Sequence, residues 1–415
     1  MTTTVRRAAA VLVVVVGLEV LVVAGHGTPW RGEWNWTLDH LVGTTVLTGP
    51  AVGAFAAWLA AGERSRATLN DGAFRGWMVP ARMAAVAALT GLAGFALGLV
   101  AGLLATATVP HGGPFAGWFL AIVPLLLACY AALGAIAGHL WPQRIVVVLV
   151  APALFLLGTA AALGIGPNVL RQGPTTGSLA GTTWDAGVVA FQELCLLGVT
   201  LAALVVPAVL LGVAPKVARG VLAGALALAV VGVAGLEVGG DYSFVSSGER
   251  PSACAERAPR VCLAPSHRRS LGPVAGQLQR VGAVLADAGA AVPATYVEEI
   301  PGYRGSPGSG LVILPAHANV DRYPLFAASH AIALPAPCPA WSAEKPPPES
   351  AFAARELIAS WVQTRLGNDQ PPVFSPEAGA WLRSAPAATQ QDWVVAAFDA
   401  LRSCRLDQIR LPWDE

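Results

Sequence analysis

The chain has 415 residues, of which 55% are apolar and only 12% charged, about half the charged fraction of an ordinary soluble domain. Its net charge of +1 excludes a chain-wide basic surface for nucleic acid, and its long apolar runs exclude a fully soluble protein. Arg outnumbers Lys, and Ala, Val and Gly dominate, a composition that fits a high-GC bacterial gene and says nothing of activity.

Seven stretches approach the roughly 20 apolar residues a helical span requires: 8–24, 41–61, 81–106, 115–137, 145–165, 188–213 and 221–238. The first follows Arg6 and Arg7, as a secretory leader would, but its apolar length is that of a span. Arg64, Arg66, Arg75 and Arg82 follow the second span, Arg144 the fourth, and Lys216 and Arg219 the sixth. With Arg6 and Arg7 these make nine basic residues on one side, against Arg31 and Arg171 near the membrane on the other. The positive-inside rule therefore predicts a cytoplasmic N-terminus, and an odd span count carries everything after about Gly240 outside. The predicted organisation is a membrane all-α helical bundle of about seven spans over 1–240, followed by a small extracytoplasmic α/β domain over 241–415.

Six cysteines divide between these parts. Cys129 and Cys195 fall inside spans, where a thiol packs as a small apolar group. Cys254, Cys262, Cys338 and Cys404 fall in the outer domain, an even number on the oxidising side, as a disulfide framework requires. Three pairings are open; Cys254 with Cys262 and Cys338 with Cys404 is favoured, the first closing a short loop that contains Pro259. The same domain reads as strands at 260–263, 295–300 and 310–314 and helices at 267–288, 350–366, 376–384 and 389–404.

Ionisable groups inside a bilayer cost about 2.5–3.5 kcal/mol on insertion scales, so Glu19 and Glu193 are candidate transport-path residues; Glu237 closes the last span. Trp30, Trp34 and Trp36 fit an aromatic belt at the membrane interface. The long basic connection 62–82 can lie at the inner interface and meet a cytoplasmic partner. Neither a His-Glu-x-x-His zinc motif nor a phosphate-binding Gly-x-x-x-x-Gly-Lys-Ser/Thr loop occurs. In Ser306-Pro-Gly-Ser-Gly310 the glycines adjoin Ser309 directly instead of standing two residues away, so no nucleophile elbow is formed. His267, His317 and His330 could be recruited with Glu298, Glu299 or Glu356, but their spacing fits no standard constellation. An enzyme would need convergence among His317, His330 and Glu356. No metal or cofactor site is predicted in this chain.

The layout of 62–82 and its following spans, closing in Gly138-His139-Leu140-Trp141-Pro142-Gln143-Arg144, resembles actinobacterial permease-like subunits of exporter-class ATP-binding-cassette transporters. Pro259-Arg260-Val261-Cys262-Leu263-Ala264-Pro265-Ser266-His267-Arg268 resembles the start of outer domains on some of them, and 382–406, with Pro386, Gln390, Trp393 and Arg402, is similar to a terminal helix pair in that group. The resemblance implies a non-enzymatic membrane subunit of an export or immunity transporter, dimeric as a homodimer or heterodimer, using ATP through a separate cytoplasmic ATPase. Arg64, Arg66, Arg75, Trp77 and Arg82 would form the ATPase-coupling loop. Exporters of this class have six spans with both termini inside, so the seventh span and the outer domain depart from the pattern. The alternative is a membrane-anchored receptor or scaffold whose outer domain binds a protein or envelope component without transport.

Overall fold

The computed structural model describes residues 3–25, 27–67, 78–162, 177–239, 244–303, 305–306, 308–314, 322–333, 348–368 and 375–414. Two compact units emerge: Met1–Thr108 with Phe115–Thr176 and Thr183–Val245, and Val109–Pro114 with Gly177–Thr182 and Ser246–Glu415.

The first unit is a helical bundle. In chain order it holds α1 (Thr3–Gly25), α2 (Trp34–Gly43), α3 (Thr45–Ala67), α4 (Met78–Ala107), a tight turn at Gly117–Ala121 entering α5 (Ile122–Leu140), α6 (Arg144–Ala162), α7 (Ala186–Leu210) and α8 (Pro215–Gly239). Among the described residues six helical runs are long and apolar enough to cross a membrane, with α2 and α3 counted as one run broken at Thr44. Helix α6 adds a shorter apolar stretch, Ile145–Ala160. Helix α1 leaves Val13, Val14, Val20 and Leu21 exposed and buries Val15 and Glu19, four residues apart on one face.

Lipid tails are as apolar as Leu, so such helices associate through close packing, which small residues permit. Helix α4 carries Gly94, Gly98 and Gly102 at four-residue spacing: a Cβ at Gly94 would stand 2.5 Å from Val15, and one at Gly102 would stand 2.8 Å from Leu41. Between α3 and α5 the backbones touch, since a Cβ on Gly134 would fall 1.9 Å from the Gly53 carbonyl oxygen. The predicted aromatic belt needs correction at its first and third members. Trp30 and Trp36 are buried within the unit; Trp30 stacks on His40 with ring centroids 5.3 Å apart and donates its indole N–H to Gly27 O at 3.1 Å. The turn placing Trp30 there uses Gly27 and Gly32 at positive φ, 69° and 100°, so the loop folds inward and α2 begins at Trp34.

Strands β1 (Thr182–Trp184) and β2 (Phe244–Ser246) pair with each other, and in the second unit β3 (Ala253–Cys254), β4 (Arg260–Leu263), β5 (Thr295–Glu298) and β6 (Gly310–Val312) form a sheet in that order, β3 antiparallel and the others parallel. Parallel strands need a crossover, and α9 (Leu271–Asp287) supplies it between β4 and β5, burying Val274, Leu278, Val281 and Leu285 at helical spacing. The core continues through α10 (Leu325–Ile332), α11 (Glu349–Arg365) and α13 (Ala387–Arg402), with Ile332, Ile358 and Phe398 buried; α12 (Pro376–Ser384) is capped by Ser375. Gly310 stands opposite Tyr296 in the β5–β6 register, and a Cβ there would fall 2.1 Å from the tyrosine ring. Cys254 and Cys262 are register partners across β3 and β4 and form a disulfide, so the bridge holds the edge strand to the sheet. Cys404 is disulfide-bonded as well, and Cys338 lies outside the described residues.

Replacing Cys254 and Cys262 together by serine should cost about 2–3 kcal/mol from the short loop the bridge closes. That predicts a melting transition of the full chain in detergent about 4–10 °C lower for the second unit; an unshifted transition would show that the bridge contributes nothing to it.

Candidate active site

Strands β4 and β5 run parallel with Cys262 opposite Val297, which brings their carboxyl ends side by side. Side chains alternate along a strand, so Glu298 points inward and is 1% exposed while its neighbour Glu299 is exposed. Leaving β4, the chain passes Ala264 and enters a helical turn, Pro265–Ser270, kinked at His267 (φ −100°, ψ 19°). The Ala264 N–H donates to Glu298 Oε2 at 2.8 Å, and His267 Nδ1 makes a short hydrogen bond to Glu298 Oε1. The ends of adjacent parallel strands are where open α/β sheets place their ligand sites.

The third member comes from a loop distant in sequence. Ser178 Oγ lies 2.7 Å from His267 Nε2. Its segment, Gly177–Thr182, belongs to this unit and is tied down along its length. The Gly181 N–H donates to Glu249 Oε2 at 3.0 Å, the Ser247 N–H donates to Gly181 O at 2.9 Å, and Ala180 packs with Ala264 and Ile300. Gly181 has φ +77°, and a Cβ there would meet Ile300 at 2.9 Å, so glycine is needed on both counts. Glu249 also accepts from the N–H and hydroxyl of Ser266, at 2.9 and 2.8 Å, and so orders the segment beside His267. The Ala180 N–H donates to Ser178 Oγ at 3.0 Å.

The arrangement sets the imidazole tautomer. Glu298 accepts the Nδ1 proton, which leaves the Nε2 lone pair to accept from the Ser178 hydroxyl. A hydroxyl, an imidazole and a carboxylate are thereby linked in series, the order that a nucleophile, its base and an orienting group require. A cleft of about 330 Å³ in the same unit is lined by His111, Gly112, Cys254, Pro265, Arg268 and Leu271, and none of Ser178, His267 and Glu298 lines it.

The sequence reading names His267 and Glu298 but not Ser178, because no local motif joins residues separated by 89 and 31 positions. The usable signal was topological: the connections 107–114 and 163–185 lie on the same predicted side as the outer domain, and Ser178 is in one of them. Ser309 has a turn role instead, donating to Ser306 O at 2.6 Å. His330 Nδ1 meets Glu356 Oε1 at 2.9 Å, tying α10 to α11, and His317 lies outside the described residues. Of the expected convergence of His317, His330 and Glu356, the described residues show the pair His330 and Glu356. Among the described residues no group of three or more His, Cys, Asp or Glu side chains is placed to hold a metal ion.

The membrane candidates separate. Glu19 is 1% exposed against α4, and Glu193 is half-buried on α7 beside the buried Gln192; Glu237 is exposed. Of the coupling-loop residues, Arg64 and Arg66 belong to α3 and Arg82 is exposed in the first turns of α4. Arg75 and Trp77 lie outside the described residues. No family model, curated protein or solved structure matches this chain.

Burial acts to raise the Glu356 carboxyl, but the hydrogen bonds and charges of His330 and Arg355 outweigh it and hold the group below its ordinary 4.5. A depressed carboxyl contributes stability that is complete above 4.5 and is lost as pH falls through its folded value. Glu356→Gln should therefore melt about 1–3 °C below wild type at pH 6, a partly exposed pair being screened, with the gap closing below about pH 4. A gap independent of pH would contradict this.

Proposed function

We propose that this is a multi-pass membrane protein whose extracytoplasmic unit performs serine-dependent acyl transfer, as a hydrolase acting on an ester or amide at the outer membrane surface. The observation that carries the reading is the series Ser178 Oγ, His267 Nε2 and Nδ1, Glu298. In the reaction Ser178 Oγ attacks the acyl carbon while its proton passes to His267 Nε2. The carbonyl oxygen takes the negative charge and needs a donor; the Ala180 N–H, which donates to Oγ before attack, would have to turn to it. Glu298 is a positioning residue that stabilises the imidazolium. His267 then gives its proton to the leaving alcohol or amine, and water, deprotonated by the same nitrogen, releases the acid and restores Ser178.

Several observations support the outer location. Val109–Pro114 and Gly177–Thr182 join the same unit as Ser246–Glu415. With both segments outside, an even number of crossings would join Pro114 to Gly177, which fits α5 with the shorter apolar α6 and the seven-span reading. The nine basic residues fall on the opposite connections, and the Cys254–Cys262 bridge fits an oxidising compartment.

A second reading, the export subunit working with a separate ATPase, is favoured by one observation: a carboxyl, Glu19, is buried inside the first span. Ionisable residues within spans mark substrate and ion pathways.

A fluorophosphonate probe should label the full-length purified protein on Ser178, with labelling abolished in Ser178→Ala and slowed about 10²–10⁴-fold in His267→Gln. If wild type takes no label while His267→Gln merely melts earlier, the network is a structural tie and the hydrolase reading is wrong. Purification from native membranes in mild detergent tests the second reading, which expects a cytoplasmic ATPase in the complex and fails if none accompanies the chain.

A further inference from the structure

We infer that Glu19, lodged against the break in the second span, is a binding site for a small monovalent cation, H⁺ or Na⁺. Helix α1 turns mostly apolar, exposed side chains outward, yet Glu19 is 1% exposed. Both carboxyl oxygens lack a hydrogen-bond partner. Gly98 makes the space, since a Cβ there would stand 3.2 Å from Oε2 and 3.3 Å from the Glu19 Cβ and Cγ.

What faces the carboxyl on the other side decides its chemistry. Thr44 and Thr48 lie beside it, but each hydroxyl has one proton and has committed it. Thr44 Oγ1 donates to Leu41 O at 2.6 Å, and Thr48 Oγ1 donates to Thr44 O at 3.3 Å. These bonds belong to the break itself: Thr45 Oγ1 likewise donates to Val42 O at 2.6 Å, so threonine hydroxyls serve the carbonyls of the last turn of α2. While those bonds are kept, both neighbouring hydroxyls offer Glu19 lone pairs, and a hydroxyl that turned to the carboxyl would give up its backbone carbonyl. Oxygen lone pairs converging inside a span, with no donor among them, repel one another unless a positive charge sits between them.

Among the described residues of the helices packed around it, no cation stands beside Glu19. On α4 the titratable group is Arg82, sixteen residues from Gly98 and roughly 24 Å along the helix. Arg6 and Arg7 of α1 stand at least twelve residues from Glu19, roughly 18 Å. On the α2–α3 run the charged groups are Asp39 and His40 before the break, His40 stacked on Trp30, and Glu63, Arg64 and Arg66 at the far end. Helix α5 brings the Tyr130 ring against Gly49. The inference rests on neither reading of the preceding section.

The test is labelling of the full-length protein in nanodiscs by a fluorescent carbodiimide, which adds to a protonated carboxyl in an apolar setting and leaves an N-acylurea on that residue. Mass spectrometry should find the adduct on Glu19, falling at least tenfold between pH 6 and pH 9, and should find none in Glu19→Gln. At fixed pH, replacing N-methylglucamine by Na⁺ separates the ligands: suppression identifies Na⁺ at the site, and no change identifies the proton alone. Thr44→Val with Thr48→Val, which keeps side-chain volume, should weaken the dependence on pH or Na⁺. Labelling equal at every pH and in both salts, or none on Glu19 under any condition, overturns the inference. Unchanged fluorophosphonate labelling of Ser178 in Glu19→Gln keeps this result separate from the hydrolase question.

Discussion

Parallel pairing of Arg260–Leu263 with Thr295–Glu298 constrains everything around His267 and Glu298. Two parallel strands cannot be joined by a tight turn, so the chain must leave β4, build α9 and return. That detour places the turn bearing His267 directly above the end of the neighbouring strand, where Glu298 points into the interior. The buried carboxylate is then satisfied by the Ala264 N–H and by the imidazole. Burying a carboxylate without such partners would be costly. The same constraint leaves Nε2 facing outward from the pair, free to meet whatever segment covers the strand ends. The segment that does so is Gly177–Thr182, held by Glu249 through Gly181 and by the small apolar contact among Ala180, Ala264 and Ile300.

The membrane-length helices obey a different rule. Water does not drive helices together within lipid, so cohesion has to come from contact. The α4 glycines admit Val15 and Leu41, and Gly134 lets α5 lie against the α3 backbone. Glu19 enters the same row of gaps that elsewhere receives apolar side chains, at Gly98. A leucine at position 19 would fill that gap as Val15 fills the one a turn earlier. The carboxyl there is therefore not a packing solution, and its location beside a break capped by threonine hydroxyls links one unusual residue to one unusual backbone feature.

Much of the fold was legible because it follows from local periodicity and length. Six of the seven apolar runs fall on helices long enough to cross a bilayer, because the bilayer fixes how many apolar residues a span needs, while the run at 145–165 meets only the shorter apolar stretch Ile145–Ala160. Strand β4 and helix α12 fall where the pattern places them, at Arg260–Leu263 and Pro376–Ser384. The eight residues of α10 and the two of β3 are too short to carry a period. Trp30 and Trp36 were misread as a lipid-interface belt because an aromatic side chain suits both an interface and a core, and only the turn through Gly27 and Gly32 distinguishes them. The Cys254–Cys262 pairing was readable from the closeness of the two residues in the chain.

By itself the sequence determined that the chain has membrane-length apolar helices, that a polar, cysteine-bearing segment follows them, and that Glu19, His267 and Glu298 are unusual where they stand. These are properties of composition and near neighbours along the chain, which the solvent or the bilayer reads without reference to a fold. Only the tertiary structure decided that Ser178 meets His267, that Glu298 and not Glu299 turns inward behind it, and that Glu19 faces hydroxyls whose protons are already given away. Each depends on a register or a close approach between segments 25 to 120 residues apart. Such meetings are set by the packing of the whole chain, and no local pattern of residues encodes them.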